Sequence, residues 1–435
     1  MKNLRCRTLF ICVGIWIVTL SVLFLVLIGA ALIPNEAIRL KMEQSAVSYI
    51  DKDAFSFGRS GKWSSIADNY ADTILLNVAW NMGKGEPLEA VIDTKYHDGD
   101  NIGENYGLYI SVTENAEPNT DYSRYWHGSA AAVRFLHLFT DVNGMKTVGL
   151  ICVAILAVGV ALWMTLHKHS DIAIMLLIAF FAVGAYNVRL SLEYQPSFII
   201  AFAFSLLYLI AERKNDIFLI GLSVCGGVCV CFFDFLTTET LTLLLPLVLV
   251  TAVRAKEKRL GGLRENFFLY LKCGAAWGIS YSGAFLAKWT LATAVTGENA
   301  FIKAFSSVAE RMGGAVDTAD AVAPNSIFSS VTANFSVMFG SKVRVEYLKT
   351  WLIVAAVLFA IFSVWYLFRV DRENAVSAKL LICLAAVVPV RFLILNNHSF
   401  LHNFFTYRAL MSTVLAILLA AWLTMRLPGR KRGGK

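Results

Sequence analysis

Long apolar runs separated by short charged segments are the feature that most limits what this chain can fold into. A helix needs about 20 mainly apolar residues to cross a bilayer. The first run, Thr8–Ile33, is longer than the apolar region of about 7–15 residues in a cleaved secretory signal, so we expect an uncleaved first span. With about ten such runs, the sequence predicts an all-α polytopic membrane protein. The later runs are Thr147–Leu166, Ile172–Tyr186, Phe198–Ala211, Ile217–Phe233, Leu241–Val253, Leu271–Thr290, Trp351–Phe368, Leu380–Leu395 and Phe405–Met425.

The composition agrees with this class. Hydrophobic residues make up 57% of the chain, whereas soluble domains contain about 45–50%. The mean hydropathy is +0.60. The net charge of +8 comes from Lys and Arg in short loops and at both chain ends, which is typical of topology signals and not of nucleic-acid binding. All eight cysteines lie in or beside apolar runs, so we expect no disulfide in the polar loops.

The distribution of basic residues predicts which loops face the cytoplasm. Positively charged loops remain on the cytoplasmic side of a membrane. If the N-terminus is cytoplasmic, nearly every basic loop falls on that side, and an even number of spans returns the C-terminus to it as well. The predicted cytoplasmic loops are His167–His169, Glu212–Lys214, Arg254–Arg259, Arg369–Lys379 and Arg426–Lys435.

The two longest polar segments are therefore expected on the outer side, which divides the chain into five parts. The first transmembrane helix occupies 1–34, and an extracytoplasmic loop subdomain occupies 35–146. A transmembrane bundle at 147–294 is followed by a second extracytoplasmic loop at 295–347. Residues 348–435 supply the last transmembrane helices and a basic cytoplasmic tail.

Asp68 and Asp72, early in the first outer loop, are the strongest candidates for catalysis. Their spacing predicts two carboxylates on one face of an amphipathic helix, with Cβ atoms about 6 Å apart. Paired acids at the outer mouth of a membrane bundle suit general-base or metal chemistry, although a solvated face on a surface helix is the alternative interpretation. The apolar stripe of this helix, which includes Ile74 and Val78, needs a surface to cover it, so we expect the loop to form an ordered cap.

Four charged residues lie near the outer ends of later runs. Asp234 and Glu239 flank a short outer turn, where acids close to hydrocarbon indicate a wet or paired site unless the turn is simply polar. Lys288 lies about one turn from the end of its run, where it could bind phosphate or merely snorkel to the interface. Arg391 is deeper, so we expect it to face the bundle interior and to meet a phosphate or a carboxylate.

The last outer loop contains two histidines and an arginine. His398 and His402 have the i,i+4 spacing of metal ligands, but no third ligand is visible nearby. Phosphate contact by His402 and Arg408 is the interpretation that we favour, with interfacial packing as the alternative.

An aromatic segment near the end of the first loop offers a second kind of contact. Tyr125, Trp126 and His127 are rich in flat surface, which suits either anchoring at the membrane interface or stacking on a sugar. Arg124 and Arg134 flank the segment and could hold anionic groups.

Taken with the order of its spans and loops, the chain resembles the GT-C class of membrane glycosyltransferases. The matching features are Asp68-Asn-Tyr-Ala-Asp72 soon after the first span, the acidic turn Asp234–Glu239, and the Gly-rich span that ends in Ala287-Lys-Trp289. The late stretch from Asn397 to Arg408 also matches uncharacterised bacterial members. The strict Asp-x-Asp or paired-acid motif of some members is absent, so metal dependence stays open.

The resemblance implies a bacterial plasma-membrane enzyme that uses a polyprenyl-phosphate-linked sugar donor at its outer face. An outer-loop acid, Asp68 or Asp72, would deprotonate an acceptor on a cell-surface glycan or lipid. Lys288, Arg391 and Arg408 would neutralise the leaving polyprenyl phosphate. A divalent metal is possible in this class, and membrane lipid is the other expected partner.

Two further functions fit the same layout. A transporter or flippase for a lipid-linked solute should show repeated halves and charges at mid-depth, and only Arg391 is clearly deep. A ligase that joins a preassembled lipid-linked glycan to an acceptor should depend more on the two late outer loops than on Asp68 and Asp72. Nucleotide hydrolysis and dehydrogenase chemistry have no support, because the chain contains no P-loop and no Rossmann fingerprint.

Overall fold

The fold is taken from a computed structural model that describes residues 2–99, 103–234, 236–313, 324, 326–343, 349–351, 353–354, 358, 361 and 375–425. The protein is 75% helical with almost no sheet, which fits a helical membrane protein. Most of the predicted span Trp351–Phe368, most of the predicted loop Arg369–Lys379 and the tail Arg426–Lys435 lie outside the described residues, as does part of the second outer loop.

Long apolar helices make up the bundle. Its members are α1 (Lys2–Ala31), α7 (Val142–Leu166), α8 (Ser170–Ala182), α9 (Pro196–Ala211), α10 (Ile217–Phe233), α11 (Leu241–Lys256), α12 (Leu263–Thr296), α15 (Ala375–Ile394) and α18 (Leu410–Thr424). Helix α10 packs on α12 and α1, α9 packs on α11, and α15 packs on α18. The largest apolar core lies among these helices and includes Phe198, Phe202, Leu245 and Leu415.

Five segments of the described chain are long and apolar enough to cross a membrane, so the prediction of about ten spans is not confirmed. Two further apolar helices, α8 and α10, are shorter than a bilayer normally requires. The qualifying segments are Arg7–Ala31, Val142–Leu166, Leu192–Ala211, Ala375–Ile394 and Asn403–Thr424.

One end of the bundle gathers three of the loops that were predicted to be cytoplasmic. Glu212, which is 2% exposed, accepts Arg259 Nη2 at 2.6 Å and Arg254 Nε at 3.4 Å. Glu257 binds Arg213 Nη2 at 2.7 Å and His169 Nε2 at 3.1 Å. These contacts place the three loops on the same side of the protein.

The opposite end carries a folded cap built from the first polar loop. The cap helices are α2 (Asn35–Val47), α3 (Asn69–Asn81), α4 (Pro87–Ile92), α5 (Glu104–Thr113) and α6 (Ser129–Leu136). Two small antiparallel sheets join them, in which β1 (Phe55–Phe57) pairs with β2 (Ile66–Asp68) and β3 (Lys95–Tyr96) pairs with β4 (Thr120–Asp121). A 3-10 turn at Trp63–Ser65 leads directly into β2.

The cap packs firmly on the bundle, as its amphipathic pattern predicts. Ile74 and Val78 on α3 are 5% and 1% exposed, and they share a core with residues of α1 and α12. Trp126 Nε1 donates to the carbonyl of Ala284 on α12 at 2.8 Å. The expectation of an ordered cap is therefore confirmed.

The late part of the chain completes this end of the protein. Helix α13 (Ala300–Met312) follows α12, and α14 (Ser329–Met338) packs against the short helices α16 (Asn396–Leu401) and α17 (Asn403–Thr406). A 3-10 turn at Tyr407–Ala409 then leads into α18.

Candidate functional site

Asp68 ends β2 and forms the N-cap of α3. Its Oδ1 atom accepts a hydrogen bond from the backbone N–H of Ala71 at 2.9 Å, a common cap geometry. The side chain is buried, at 4% exposure, and this is the only hydrogen bond that the described residues give to its carboxylate. Burial raises the pKa of Asp68 to about 7, with a further increase from the charge of Asp72.

Asp72, one turn later on α3, is held on all sides. Its Oδ1 atom accepts from Ser191 Oγ and from the backbone N–H of Leu192, both at 2.7 Å. Its Oδ2 atom accepts from Tyr49 OH at 2.8 Å and pairs with Lys146 Nζ at 2.5 Å. The residue is 0% exposed, so Asp72 links α3 to the segment after α2, to α7 and to the segment before α9.

The predicted helical pairing of the two acids is wrong in one respect. Asp68 precedes the helix and has extended neighbours in β2, so the two carboxylates do not share a helix face. The capping preference of Asp at a helix start explains the difference. Neither acid is on a solvated surface, which removes the alternative interpretation.

Arg408 is a buried cation without an acidic partner. The residue is 1% exposed, and no carboxylate of the described residues lies within ion-pair distance of it. Its guanidinium carbon lies 4.4 Å from the ring centroid of Tyr194 and 5.1 Å from that of Tyr407. Nη2 donates to the carbonyl of Ser64 at 3.3 Å, whereas Nε and Nη1 are buried without a hydrogen-bond partner. Such a group is well placed to meet an anion.

The segment from Ser64 to Asp68 brings Arg408 close to Asp68. Arg408 donates to the carbonyl of Ser64, and Tyr194 OH donates to the carbonyl of Ile66 at 3.3 Å. A strand advances about 3.3 Å per residue, so the backbones of Ser64 and Asp68 are about 13 Å apart at most. The acid and the unbalanced cation therefore flank the same short segment.

A cavity of about 370 Å³ adjoins this segment. Its lining includes the polar residues Lys62 and Asn187 and the apolar Phe181, which lies in the last turn of α8. Phe181 is 62% exposed and continues the exposed apolar face of α8 that includes Ile174 and Ile178. The cavity lining therefore contains both polar residues and a residue of the exposed apolar face of α8.

Arg391 faces the bundle interior, as predicted, and its partner is Glu239. Nε and Nη2 of Arg391 donate to the two Glu239 carboxylate oxygens at 2.8 and 3.0 Å. Nη1 donates to Ser399 Oγ at 2.9 Å, and Nη2 also donates to the carbonyl of Leu236. Arg391 is 7% exposed and fully engaged, so it joins α15 to the acidic turn.

Lys288 lies beneath the cap and holds α4. Its Nζ atom donates to the carbonyls of Val91 and Ile92 at 3.0 and 2.7 Å, and the residue is 0% exposed. These are the last carbonyls of α4, which lack partners within their own helix. Lys288 thus neither snorkels nor points to the segment that joins Asp68 and Arg408.

Asp234 also has structural partners. Its Oδ1 atom accepts from Ser197 Oγ at 2.6 Å and from Thr237 Oγ1, and Oδ2 accepts from the Thr237 N–H at 2.9 Å. Asp234 is 3% exposed and ties the start of α9 to the turn between α10 and α11.

His398 and His402 lie side by side on the late loop, with ring centroids 4.8 Å apart. His398 Nε2 donates to the carbonyl of Leu236 at 2.9 Å. Burial, then the charges of His402, Arg391 and Arg311, lowers the pKa of His398 well below its usual value, so the ring is neutral. Among the residues that the structure describes, no group of three His, Cys, Asp or Glu side chains has the arrangement of a metal site.

The residues of the aromatic segment are packed into the structure. Trp126 is 1% exposed and stacks on Phe232 at 5.4 Å. His127 Nε2 donates to the carbonyl of Tyr122 at 2.8 Å, and burial lowers the pKa of His127 to about 3. Tyr125 is 5% exposed, and the Arg124 guanidinium carbon is 5.3 Å from its ring centroid.

Arg134, which was also expected to hold an anion, closes the C-terminal end of α1. Its Nε atom donates to the carbonyl of Ala30 at 2.9 Å, and Nη1 donates to Asn35 Oδ1 at 2.9 Å and to the carbonyl of Ala79 at 2.6 Å. Arg134 is 0% exposed, and its role is structural.

Sequence reasoning missed three residues beside Asp68. Lys146 pairs with Asp72, Tyr194 stacks on Arg408, and the half-buried Glu193 lies close enough to Asp68 and Asp72 to sense their charges. Glu193 and Tyr194 stand in Ser191-Leu-Glu-Tyr-Gln-Pro196, a polar break between two apolar runs. That break was the available signal, because an acid beside an apolar run needs a wet or paired site.

The chain matches no family model, no curated protein and no solved structure in the comparisons with known proteins.

Proposed function

We propose that the protein is a membrane glycosyltransferase that transfers a sugar from a polyprenyl-phosphate donor to an extracytoplasmic acceptor. The observation that carries the proposal is that Asp68, a buried carboxylate with one hydrogen bond, and Arg408, a buried guanidinium with no acid beside it among the described residues, flank the same short segment. A base and an unbalanced cation on one segment are what transfer from an anionic leaving group requires. The GT-C resemblance of the sequence points to the same reaction.

In the proposed reaction Asp68 takes the proton from an acceptor hydroxyl. The hydroxyl oxygen attacks the anomeric carbon of the donor sugar as the bond from that carbon to the phosphate oxygen breaks. The electron pair of the broken bond stays on the polyprenyl phosphate, whose charge Arg408 offsets. Proton transfer of this kind typically contributes a factor of about 10²–10⁴ in rate.

The remaining predicted residues support the site in this proposal. Asp72 holds the start of α3, Lys288 holds α4, and Arg391 with Glu239 holds the late loop. The cavity of about 370 Å³ is within the range of small-ligand sites, and the exposed apolar face of α8 beside it suits a donor with a lipid tail. The outer side of a bacterial plasma membrane is the location that this proposal includes.

The proposal is tested by comparing cell-surface glycans in host cells that carry the wild type, Asp68→Asn or Asp53→Asn. Asp53 is an exposed acid in the same loop and serves as the matched control. We expect mass spectrometry to find a glycan that the Asp68→Asn cells lack and the Asp53→Asn cells retain. Equal glycans in Asp68→Asn and wild-type cells, with equal protein levels, would contradict the proposal.

A further inference from the structure

Two arginines from distant parts of the chain meet at Tyr125. Arg124 precedes it in the cap, and Arg311 lies in the last turn of α13. Arg311 Nη2 donates to Tyr125 OH at 2.5 Å. The guanidinium carbons of Arg124 and Arg311 lie 5.3 and 5.9 Å from the Tyr125 ring centroid. Both distances are measured to the same centroid, so the two guanidinium carbons are at most 11.2 Å apart, the sum of the two distances.

Neither arginine has an acidic partner in the described part of the chain. The ion pairs there include no contact to Arg124 or Arg311, and the Nε atom of each is buried without a hydrogen-bond partner. The acid whose charge reaches Arg124, Asp121, already pairs with Lys303 Nζ at 3.4 Å and accepts from the Ser123 N–H at 3.2 Å. The two guanidinium groups lie against the same ring and repel each other, and a bound anion would offset this repulsion.

Hydrogen bonds that involve no carboxylate fix the backbone beside both arginines. The Arg124 carbonyl accepts from Trp289 Nε1 at 3.0 Å, which fixes the segment to α12. The end of α13 is fixed by Asn397, whose Nδ2 donates to the carbonyl of Glu310 at 2.7 Å. The backbone at both arginines is therefore fixed without a ligand, which lowers the cost of ordering the site on binding.

We infer that Arg124 and Arg311 form a second anion-binding site that takes an additional phosphate or carboxylate group of the substrates. Guanidinium groups bind both anions through paired N–H donors. The site is separate from Arg408, whose contacts are with Ser64, Tyr194 and Tyr407. As a substrate site it rests on the proposed function, and it implies either an acidic acceptor or a donor with a second phosphate.

The binding experiment uses the full chain in lipid nanodiscs and inorganic phosphate as the probe, at constant ionic strength. We expect calorimetry to show that Arg124→Gln and Arg311→Gln each weaken phosphate binding at least tenfold at one of two sites. Arg408→Gln should weaken the other site, and Arg39→Gln, on the exposed cap surface, should weaken neither. Unchanged binding at both sites in the Arg124→Gln/Arg311→Gln double variant would overturn the inference.

Thermal unfolding without phosphate tests whether misfolding of a variant explains its weaker phosphate binding. Removing one of two unbalanced charges relieves repulsion, so Arg311→Gln should melt at or above the wild-type temperature in phosphate-free buffer. The variant should also lose most of the stabilisation that phosphate gives the wild type. A lower melting temperature without phosphate, together with full stabilisation by phosphate, would contradict an anion site at Arg311.

A second set of titrations separates the two sources of the anion. If the acceptor supplies it, phosphate still binds at Arg124 and Arg311 after polyprenyl phosphate or polyprenyl diphosphate has filled the Arg408 site. If the donor supplies it, polyprenyl diphosphate blocks that binding and the monophosphate does not. Either result supports the site, and phosphate binding does not depend on sugar transfer. The inference can therefore stand or fall separately from the proposed reaction.

Discussion

Asp68 caps the helix on which Asp72 is buried, and the two carboxylates have different partners. Asp68 accepts a hydrogen bond from the Ala71 N–H, whereas Asp72 accepts three hydrogen bonds and pairs with Lys146. A carboxylate with free acceptor capacity can take a proton from a substrate, and one with four donors is a structural support. We therefore assign the proposed base to Asp68 alone.

Replacing Asp72 should damage stability more than replacing Asp68. Asp72→Asn leaves the ammonium of Lys146, which is 13% exposed, without its charge partner, and breaking a buried pair costs about 3–5 kcal/mol. Asp68→Asn keeps an efficient N-cap and removes a carboxyl that is costly to ionise when buried, so it should not lower the unfolding free energy at pH 6. Denaturant unfolding in mild detergent measures both. A larger loss in Asp68→Asn than in Asp72→Asn would contradict this division of roles.

The raised pKa of Asp68 predicts a pH dependence of activity. A general base must be ionised, and with a pKa of about 7 the ionised fraction rises about tenfold between pH 6 and pH 8. The rate of sugar transfer at low donor concentration should therefore rise with pH over this range. A rate that is flat, or that falls, between pH 6 and pH 8 would exclude Asp68 as the base.

The same group predicts a pH dependence of stability. The folded pKa of about 7 lies above the value of about 3.9 in an unfolded chain, so the folded state binds the proton more tightly. The stability that Asp68 contributes is fully present below about pH 4 and is lost as the pH rises through 7. Asp68→Asn should remove this loss, and melting curves of both proteins at pH 6 and pH 8 would show whether it does.

Several elements of this structure could be predicted from the sequence alone. The long apolar helices follow from run length, and the ordered cap follows from the apolar stripe that includes Ile74 and Val78. The inward position of Arg391 follows from the cost of a charge in hydrocarbon. Each of these depends on a local pattern or on a single energetic cost, which a sequence displays directly.

The partners of the charged residues could not be predicted, because folding brings them together from distant positions. A lysine such as Lys288 can bind phosphate, yet its Nζ atom donates to the carbonyls at the end of α4, which is distant in the sequence. Arg391 and Glu239 were both candidate site residues, but nothing in their local sequence indicated that they neutralise each other. Arg408 can still bind an anion, as the sequence predicts, because no acid packs beside it in the described chain.

Lys288→Met should weaken the cap and leave phosphate binding unchanged. The substitution leaves the Val91 and Ile92 carbonyls without their donor, at a cost of about 1–3 kcal/mol each. Lys214→Met, at an exposed lysine on the opposite end, is the matched control. Thermal unfolding and phosphate titration distinguish the two roles, since a phosphate ligand would lose binding with little change in stability.

Glu239 and Arg391 should behave as one unit in a double-mutant cycle. Glu239→Gln alone leaves a buried guanidinium without its partner, and we expect it to destabilise the protein by about 3–5 kcal/mol. The Glu239→Gln/Arg391→Gln double variant should be more stable than the sum of the single changes predicts, because it leaves no unpaired charge. Additive effects in the cycle would show that the pair does not interact.

The central claim is tested most directly by binding of sugar-free polyprenyl phosphate to the wild type and to Arg408→Gln in lipid nanodiscs. Arg408 supplies a buried positive charge that no acid of the described residues balances, so its loss should weaken binding at least tenfold. Asp68→Asn should bind at least as tightly as the wild type, because it removes a negative charge near the phosphate. Equal affinities for the wild type and Arg408→Gln would contradict the account.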